Sequence, residues 1–541
     1  MASVDAADID QSASDTPTTT QGTAETQPAT EQAQEPEQIR FDIWEFQVSG
    51  NTVLDDTLVE RAVYPYLGKQ KTVEDVDAAS IALQSLFKYN GYPTVLVDIP
   101  QQDVSNGIVR LDIIQGKIDR LRISGSRYFS LAEIRSRVPA LAVGEVPHLP
   151  TVQEQLQSLN SLNKDLKVTP IFRPGRSPGT VSVELRVKDH HPVHGSIELN
   201  GKNSFGTTRT RLLANISYAN LWLKNHDFSL TYQTSPQKTE EVRVLVGSYL
   251  MPAGNDNSRL AFYAVRSDSE TGVASAGAIN VVGKGKIIGG RYVKPLAGED
   301  KFIHSIIFGF DYKDFDEAVN LEDTNPDEPG SIVTPIDYTM FSMDYNTTYI
   351  SDSATTGFSG GVKFAPRAIG NDQDEFENKR FQANPNFAIA NMRLSQDYRF
   401  ENGIKLIGIV AGQYAGQPLV SNEQYSIGGA DTVRGYYESQ VLADDALRAT
   451  IELRSADADW LRKKGFVDAH LKAFIDGGAT RIHDPLTGTD DSEQITGAGI
   501  GLRLATRESF TLSLDVASAL RDNKQVESGD VRAHFTVRGA F

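Results

Sequence analysis

The chain reads as a mainly β protein, with two small α+β modules followed by an antiparallel transmembrane β-barrel of about sixteen strands. Three observations predict this. Residues 41–190 hold the order β-α-α-β-β twice. From Pro192 to Phe541 helical periodicity gives way to recurrent segments of about ten alternating residues, each bounded by Gly, Asn, Asp or Pro. The chain closes on a strand that ends at the terminal aromatic Phe541.

Composition narrows the classes first. The 541 residues carry a net charge of -18, which argues against a nucleic-acid partner, because phosphate binding needs a basic field. There is no cysteine, so disulfides, thiol nucleophiles and thiolate metal sites are excluded. No apolar run reaches the ~18 residues of a transmembrane helix. No h-region follows Met1, so a secreted protein would have to be supplied here without its signal peptide. Residues 1–40 set eight carboxylates against Arg40 and almost no large apolar side chain, the signature of a disordered acidic leader.

The first module spans 41–119. "FDIWEFQVSGN" alternates Ile43, Phe46 and Val48 and turns at Gly50-Asn51. A helix is expected around Leu58–Leu67. A second begins at the N-cap Thr72, with Val76, Ala79, Leu83, Leu86 and Phe87 at helical spacing, and ends at Gly91. "YPTVLVDI" and "IVRLDIIQG" supply two more strands. The second module, 120–190, repeats the pattern: "RLRISGSRYFS" echoes "EFQVSGNTVLD", "LAEIRSRV" and "TVQEQLQSLNSLN" read as helices, and two strands flank the turn "PGRSPG".

In the barrel, 191–541, "FSLTYQT" puts Phe228, Leu230 and Tyr232 on one face. "FGFDYKDF" does so with Phe308, Phe310 and Tyr312, and "FTLSLDVAS" with Phe510, Leu512, Leu514 and Val516. A soluble sandwich also alternates, but a soluble sheet of this many strands splits or needs covering helices. In lipid the apolar face points outward and the polar face lines water. "GKGKIIGG" does not match a phosphate loop and reads as a tight turn entering a strand.

The layout resembles the two-partner secretion transporters, the TpsB family of haemolysin and filamentous-haemagglutinin exporters, within the POTRA-plus-barrel superfamily. The residues that carry the resemblance are "YNGYP" and "IPQQDVSNGIVRLDIIQGKI" in the first module, "LNSLN" and "PGRSPG" in the second, and "SIGGADTVRGYYES" and "FIDGGAT" in the barrel. It implies an outer-membrane translocator of a Gram-negative bacterium, with its modules in the periplasm. These would capture an unfolded exoprotein of haemolysin, adhesin or contact-dependent-inhibition-toxin type and pass it through the pore without ATP. A barrel-insertion factor and a passive porin are the alternatives. The partners implied are the exoprotein, outer-membrane lipid and lipopolysaccharide, and the barrel-assembly machinery during biogenesis, with the translocator itself a monomer. The family's N-terminal plug helix has no convincing counterpart in residues 1–40.

No catalytic constellation is present, and no enzyme activity, cofactor or metal is expected. His304, His470 and His534 lie on strands of a polar lumen that needs no catalytic role for them. Two binding sites are expected instead. Residues 421–445 form a loop that the resemblance folds inward. It carries Val433, Arg434, Gly435 and Tyr436. Alternation on "LKAFIDGGAT" turns Leu471, Ala473 and Ile475 to lipid, and Lys472, Phe474, Asp476 and Gly478 to the lumen. Arg434 is expected to latch onto Asp476, because a guanidinium in a partly dehydrated lumen needs a partner. The second site is a client-binding edge on "LKVTPIF", with Val168, Thr169, Ile171 and Phe172, walled by Val152, Leu156 and Leu159 of the adjacent helix. Pro170 marks that strand as an edge.

Overall fold

A computed structural model describes residues 39–541, apart from 320–331 and the short stretches 255, 270–273, 277–278, 282, 299–300, 317, 368, 489 and 508. The acidic leader and the missing plug helix lie outside the described residues.

The first module holds β1 (Phe41–Ile43), β2 (Glu45–Ser49), α1 (Asp56–Val63), β3 (Gly68–Lys71), α2 (Val73–Tyr89), β4 (Val95–Asp98) and β5 (Ile108–Gln115). Its sheet runs β2-β5-β4, with β2 parallel to β5. The first helix is shorter than expected. Pro65 has no N–H to continue the ladder, and Tyr64–Tyr66 tightens into a 3-10 turn. The sequence reading also missed a two-stranded β1–β3 pairing. α2 starts as expected: the Thr72 N–H donates to Asp75 Oδ2 at 2.9 Å in a capping box.

The second module repeats the architecture: β6 (Lys117–Ser124), α3 (Leu131–Ser136), α4 (Leu149–Leu162), β7 (Leu166–Pro174) and β8 (Thr180–Asp189), in sheet order β6-β8-β7. The echo between the two Ser-Gly turns has a shared physical cause. Gly50 and Gly125 both have positive φ (86° and 91°). A Cβ on either would lie 2.4 Å from a carbonyl of the central strand, Ile113 O or Val187 O. The preceding serines bond that same strand: Ser49 Oγ to Asp112 at 2.6 Å, and Ser124 Oγ to Glu184 at 2.7 Å.

The barrel is closed and has sixteen antiparallel strands, from β9 (Val193–Asn200) to Val531–Ala540, which pairs back onto β9. Phe541 completes the seam: its N–H donates to Gly195 O at 2.9 Å, and its ring lies where a Gly195 side chain would be. The aromatic and aliphatic sets on Phe228–Tyr232, Phe308–Tyr312 and Leu514–Val516 are exposed on the outer face, while Asp311 and Asp515 are buried inside. β8 feeds directly into β9, so even-numbered connections return on the module side. A module-side strand end and one of these connections bond the second module: Asn220 Nδ2 donates to Tyr128 O at 2.9 Å, and Ser158 Oγ to Asn257 Oδ1 at 2.7 Å.

One stretch of inner wall departs from the expected polar lining. Val242, Val244, Val265, Ile287, Phe315, Ile336, Tyr338 and Phe387 form an apolar core inside the barrel. They are buried because the connection 366–386 turns inward. Its helix α5 (Gln373–Lys379) sets Phe376 against Tyr338 and Phe387, with ring centroids 5.6 and 6.0 Å apart.

Candidate functional site

The connection between Lys405–Tyr414 and Asp445–Arg454 does not stay at the rim. Tyr425–Ile427 pairs with Val441–Ala443 as a short hairpin, and its tip enters the lumen. Ile427, Val433, Tyr436 and Val441 pack with Ile495, Ala519 and Val526. At the tip Arg434 is only 6% exposed and Asp476 only 1%. Arg434 Nε donates to Asp476 Oδ2 at 2.7 Å and Nη2 to Asp476 Oδ1 at 3.0 Å, a bidentate fork. The Arg434 main-chain N–H adds a third bond to the same carboxylate at 3.2 Å. The guanidinium lies 3.3 Å from the centre of the Phe474 ring.

Two further carboxylates close on it that the sequence alone does not assign to the latch. Arg434 Nη1 donates to Glu452 Oε2 at 2.7 Å and lies 3.4 Å from Asp515 Oδ2. Arg454 pairs with Glu452 at 2.6 Å, and Lys472 with Asp515 at 2.7 Å. Three cations thus face three carboxylates, so the buried network is neutral. That is the condition under which burying charge does not expel it. Both carboxylates sit on the polar side of an alternating strand, which was legible. Their convergence on one arginine depends on the register of three strands, which was not.

The neighbours of Arg434 complete the clamp. Gly435 has φ 100°, and its N–H donates to His534 Nε2 at 3.1 Å. His534 therefore accepts there through an unprotonated ring nitrogen. The Tyr436 hydroxyl lies 2.8 Å from Arg521 O and 3.0 Å from Thr496 O. A Cβ on Gly497 would lie 1.9 Å from Arg434 O, so the loop's approach requires glycine in the wall. Gly478 leaves room for Ile427 and Val433 in the same way. The structure therefore brings Val433, Arg434, Gly435, Tyr436, Phe474, Asp476 and Gly478 together at one place.

The base of the hairpin is gripped separately. Arg380, from the inward connection, forms a second fork on Asp444, at 2.5 Å and 2.7 Å. Asp444 is fully buried and also accepts from Leu419 N, Gln424 Nε2 and His483 N. Lys313 and the Tyr338 hydroxyl both bond Glu423.

The expected client edge is corrected in part. β7 is an edge strand, bonded to β8 alone within its sheet. Val152, Leu156, Leu159 and Val168, however, are buried in the module core with Ile134, Leu141 and Leu185, so they do not line a groove. They face inward because a module this small needs both helices to cover one sheet face. Thr169 is exposed; Ile171 and Phe172 are half-buried. The edge is also partly occupied. The Val168 N–H donates to Asn160 Oδ1 at 2.7 Å and its carbonyl accepts from Asn160 Nδ2 at 3.1 Å. Both main-chain groups of Val168 point away from β8, and by alternation so do those of Pro170, Phe172 and Pro174. Neither proline has an N–H, so between Val168 and Pro174 the open edge offers the Phe172 N–H and the carbonyls of Pro170, Phe172 and Pro174.

Outside the barrel strands, several module carboxylates sit below their ordinary pKa. Glu184 is lowered chiefly by the Ser124 hydroxyl, and Asp119 by the Arg176 main-chain N–H.

Comparison with known proteins follows this geometry. The family model of the haemolysin secretion/activation protein ShlB/FhaC/HecB matches residues 179–504, and that of the POTRA domain, ShlB-type, matches 41–116. The heme/hemopexin transporter protein HuxB of Haemophilus influenzae (strain ATCC 51907 / DSM 11121 / KW20 / Rd) is 19% identical over 473 residues, covering 85% of this chain and 80% of that protein. The outer membrane transporter CdiB of Dickeya dadantii (strain 3937) is 21% identical over 493 residues, covering 86% and 81%. Among solved structures, CdiB from Escherichia coli aligns with a TM-score of 0.64 at 17% identity, covering 95% of this chain and 93% of that one. BamA from Haemophilus ducreyi lacking POTRA domains 1-3 aligns with a TM-score of 0.56 at 13% identity, covering 93% and 100%. At these identities the structural likeness shows the fold alone.

Proposed function

Because this chain belongs to the haemolysin secretion/activation family ShlB/FhaC/HecB, we propose that Arg434 holds the lumen hairpin in the conformation that lets an exoprotein through. The chain is a two-partner secretion translocator, a β-barrel of the outer membrane with POTRA domains in the periplasm. Transport here has to run without ATP, so the steps are binding, threading and release. A latch suits that sequence. The bidentate fork fixes the hairpin by direction as well as charge, which lysine cannot copy. Its six charges can re-pair with a passing chain or with water, whereas an apolar plug of equal size would have to be exposed outright.

Capture belongs to the modules. An extended client segment adds alongside β7 at Phe172, where one donor and the neighbouring carbonyls are open, and Ile171 and Thr169 on the uncovered sheet face read its side chains. A passive porin would leave both modules without a task. The observation that carries the reading is the neutral, buried Arg434 network inside the pore. Its test is co-expression with a candidate exoprotein, followed by assay of the medium. Arg434→Ala should leave a heat-modifiable barrel in the membrane and cut export sharply; export at the wild-type level would overturn the latch.

A further inference from the structure

The outer face of the barrel is not uniformly convex. Across the strands Asp445–Arg454, Phe466–Arg481, Ser492–Thr506 and Phe510–Ala519 lies a cleft of about 550 Å³, lined by Leu453, Leu471, Ala473, Ile500, Leu502 and Leu514. Ala473 forms its floor between larger neighbours, and Leu471 and Ile500 stand out from its walls at 64% and 68% exposure. The module-side connections of these same strands carry a basic rim. Arg462 ends a short helix (Asp459–Arg462), Lys463 and Lys464 follow it, and Arg507 lies across from them in the next module-side connection. All four are exposed, and among the described residues no carboxylate lies within salt-bridge distance of any of them. Asp457 and Asp459 in the first connection and Glu508, next to Arg507 in the chain, set three carboxylates against the four cations and offset the rim only in part. Trp460, 62% exposed, sits under the Lys464 ammonium, the placement of an aromatic at a membrane boundary.

We infer that this cleft and rim form a binding site for one anionic glycerophospholipid of the periplasmic leaflet. The basic rim is unusual on a chain of net charge -18, and it lies on the module side, where the leaflet is phospholipid. The spacing fits. Val467, at the rim, and Leu471, in the cleft, are four residues apart on one strand and both face outward, which is about 13 Å of strand. At barrel tilt that is roughly 10 Å of depth, inside the ~15 Å half-thickness of the hydrocarbon. A headgroup held by Arg462, Lys463, Lys464 and Arg507 would therefore lay an acyl chain along Val467 into the cleft. The Lys/Arg attraction supplies selectivity for the anionic headgroup, and the missing side-chain volume at Ala473 supplies the place.

The test uses the full chain purified in detergent and titrated with phosphatidylglycerol or phosphatidylcholine, read by native mass spectrometry. Wild type should prefer phosphatidylglycerol about fivefold or more. The triple variant Arg462→Gln, Lys463→Gln, Lys464→Gln, confined to an exposed turn, should lose the preference while still binding lipid. Ala473→Trp, which fills the cleft, should reduce binding of both lipids; if it fails to fold, Ile500→Ala, which removes one wall, should do the same. Equal binding of the two lipids by wild type, an unchanged preference in the triple variant, or co-purification of lipopolysaccharide in place of phospholipid would overturn the site.

Discussion

The second POTRA module and the barrel lumen bury side chains by opposite means. In the module, Ile134, Leu141, Val152, Leu159 and Leu185 exclude water from one small core, and burial itself stabilises it at about 25 cal/mol per Å². In the lumen the hairpin tip has an apolar contact through Val433 and Tyr436, but Arg434 itself is buried by a fork and ion pairs to charged groups. A hydrophobic core has no direction and one good state. A neutral ionic network has strict geometry but can be taken apart pair by pair. In the proposed mechanism the module is the part that keeps its shape, and the hairpin is the part that moves while the wall around it stays folded.

Four experiments bear on that difference. The largest effect is expected at the latch. Arg434→Ala or Asp476→Ala leaves a buried partner uncompensated, at about 3–5 kcal/mol. Export should fall by at least about tenfold with the heat-modifiable band retained, and Arg434→Lys should not restore it. The double variant should be little worse than Arg434→Ala alone, since the fork on Asp476 is already lost there; strictly additive losses would show two independent charges.

Next comes the module core. Val168→Asp puts a carboxylate among Leu166, Val183 and Leu185 and should unfold the second module, a loss of about 3 kcal/mol or more. Limited proteolysis should then cut between residues 120 and 188 while the barrel stays resistant. Ile171→Asp, on the half-buried opposite face, should leave the module folded and weaken client binding instead. Equal protease resistance of Val168→Asp and wild type would remove the contrast between core and lumen.

A third, smaller effect is expected at the base of the hairpin. Arg380→Ala frees the inward connection, but Asp444 keeps three other donors. Single-channel conductance should rise with export reduced less than by Arg434→Ala. A conductance equal to wild type would mean that this fork does not close the mouth.

The smallest effect is on pH. Glu184 and Asp119 have lowered pKa values, so their contribution to module stability is fully present above the unfolded carboxylate range of about 4 and is lost as pH falls below it. Both are only half-buried and lie at the solvent side of the sheet, so the chemical-denaturation midpoint of an isolated second module, or of the full chain read by a module probe, should drop only slightly between pH 6 and pH 3. Ser124→Ala should flatten the Glu184 part of that drop.

Much of this was written locally. The period-two alternation in Phe228–Tyr232 and Phe510–Val516 told lipid from lumen, because side-chain direction in a strand depends only on parity. For the same reason Asp476 could be placed inside before any strand was paired. The repeat was legible in Ser49-Gly50 and Ser124-Gly125, since a left-handed turn leaves a glycine behind. Helix starts such as Thr72 were legible from their caps. The buried fate of Val168 and Leu156 was not, because a half-apolar strand and helix read alike whether they line a groove or a core.

By itself, then, the sequence determined the strand count, the two modules, the outward and inward faces and the inward place of Asp476, while the inward course of the Arg434 loop came from the family resemblance. Only the tertiary structure decided that Glu452 and Asp515 join that arginine, that Asn160 covers the Val168 edge, that the connection 366–386 turns inward to grip Asp444, and that a cleft opens over Ala473. The reason is physical. Facing is a property of one strand, carried by neighbours in the chain. Convergence is set by the register between strands and by where a loop returns, and those contacts join residues tens to hundreds of positions apart, on which local pattern is silent.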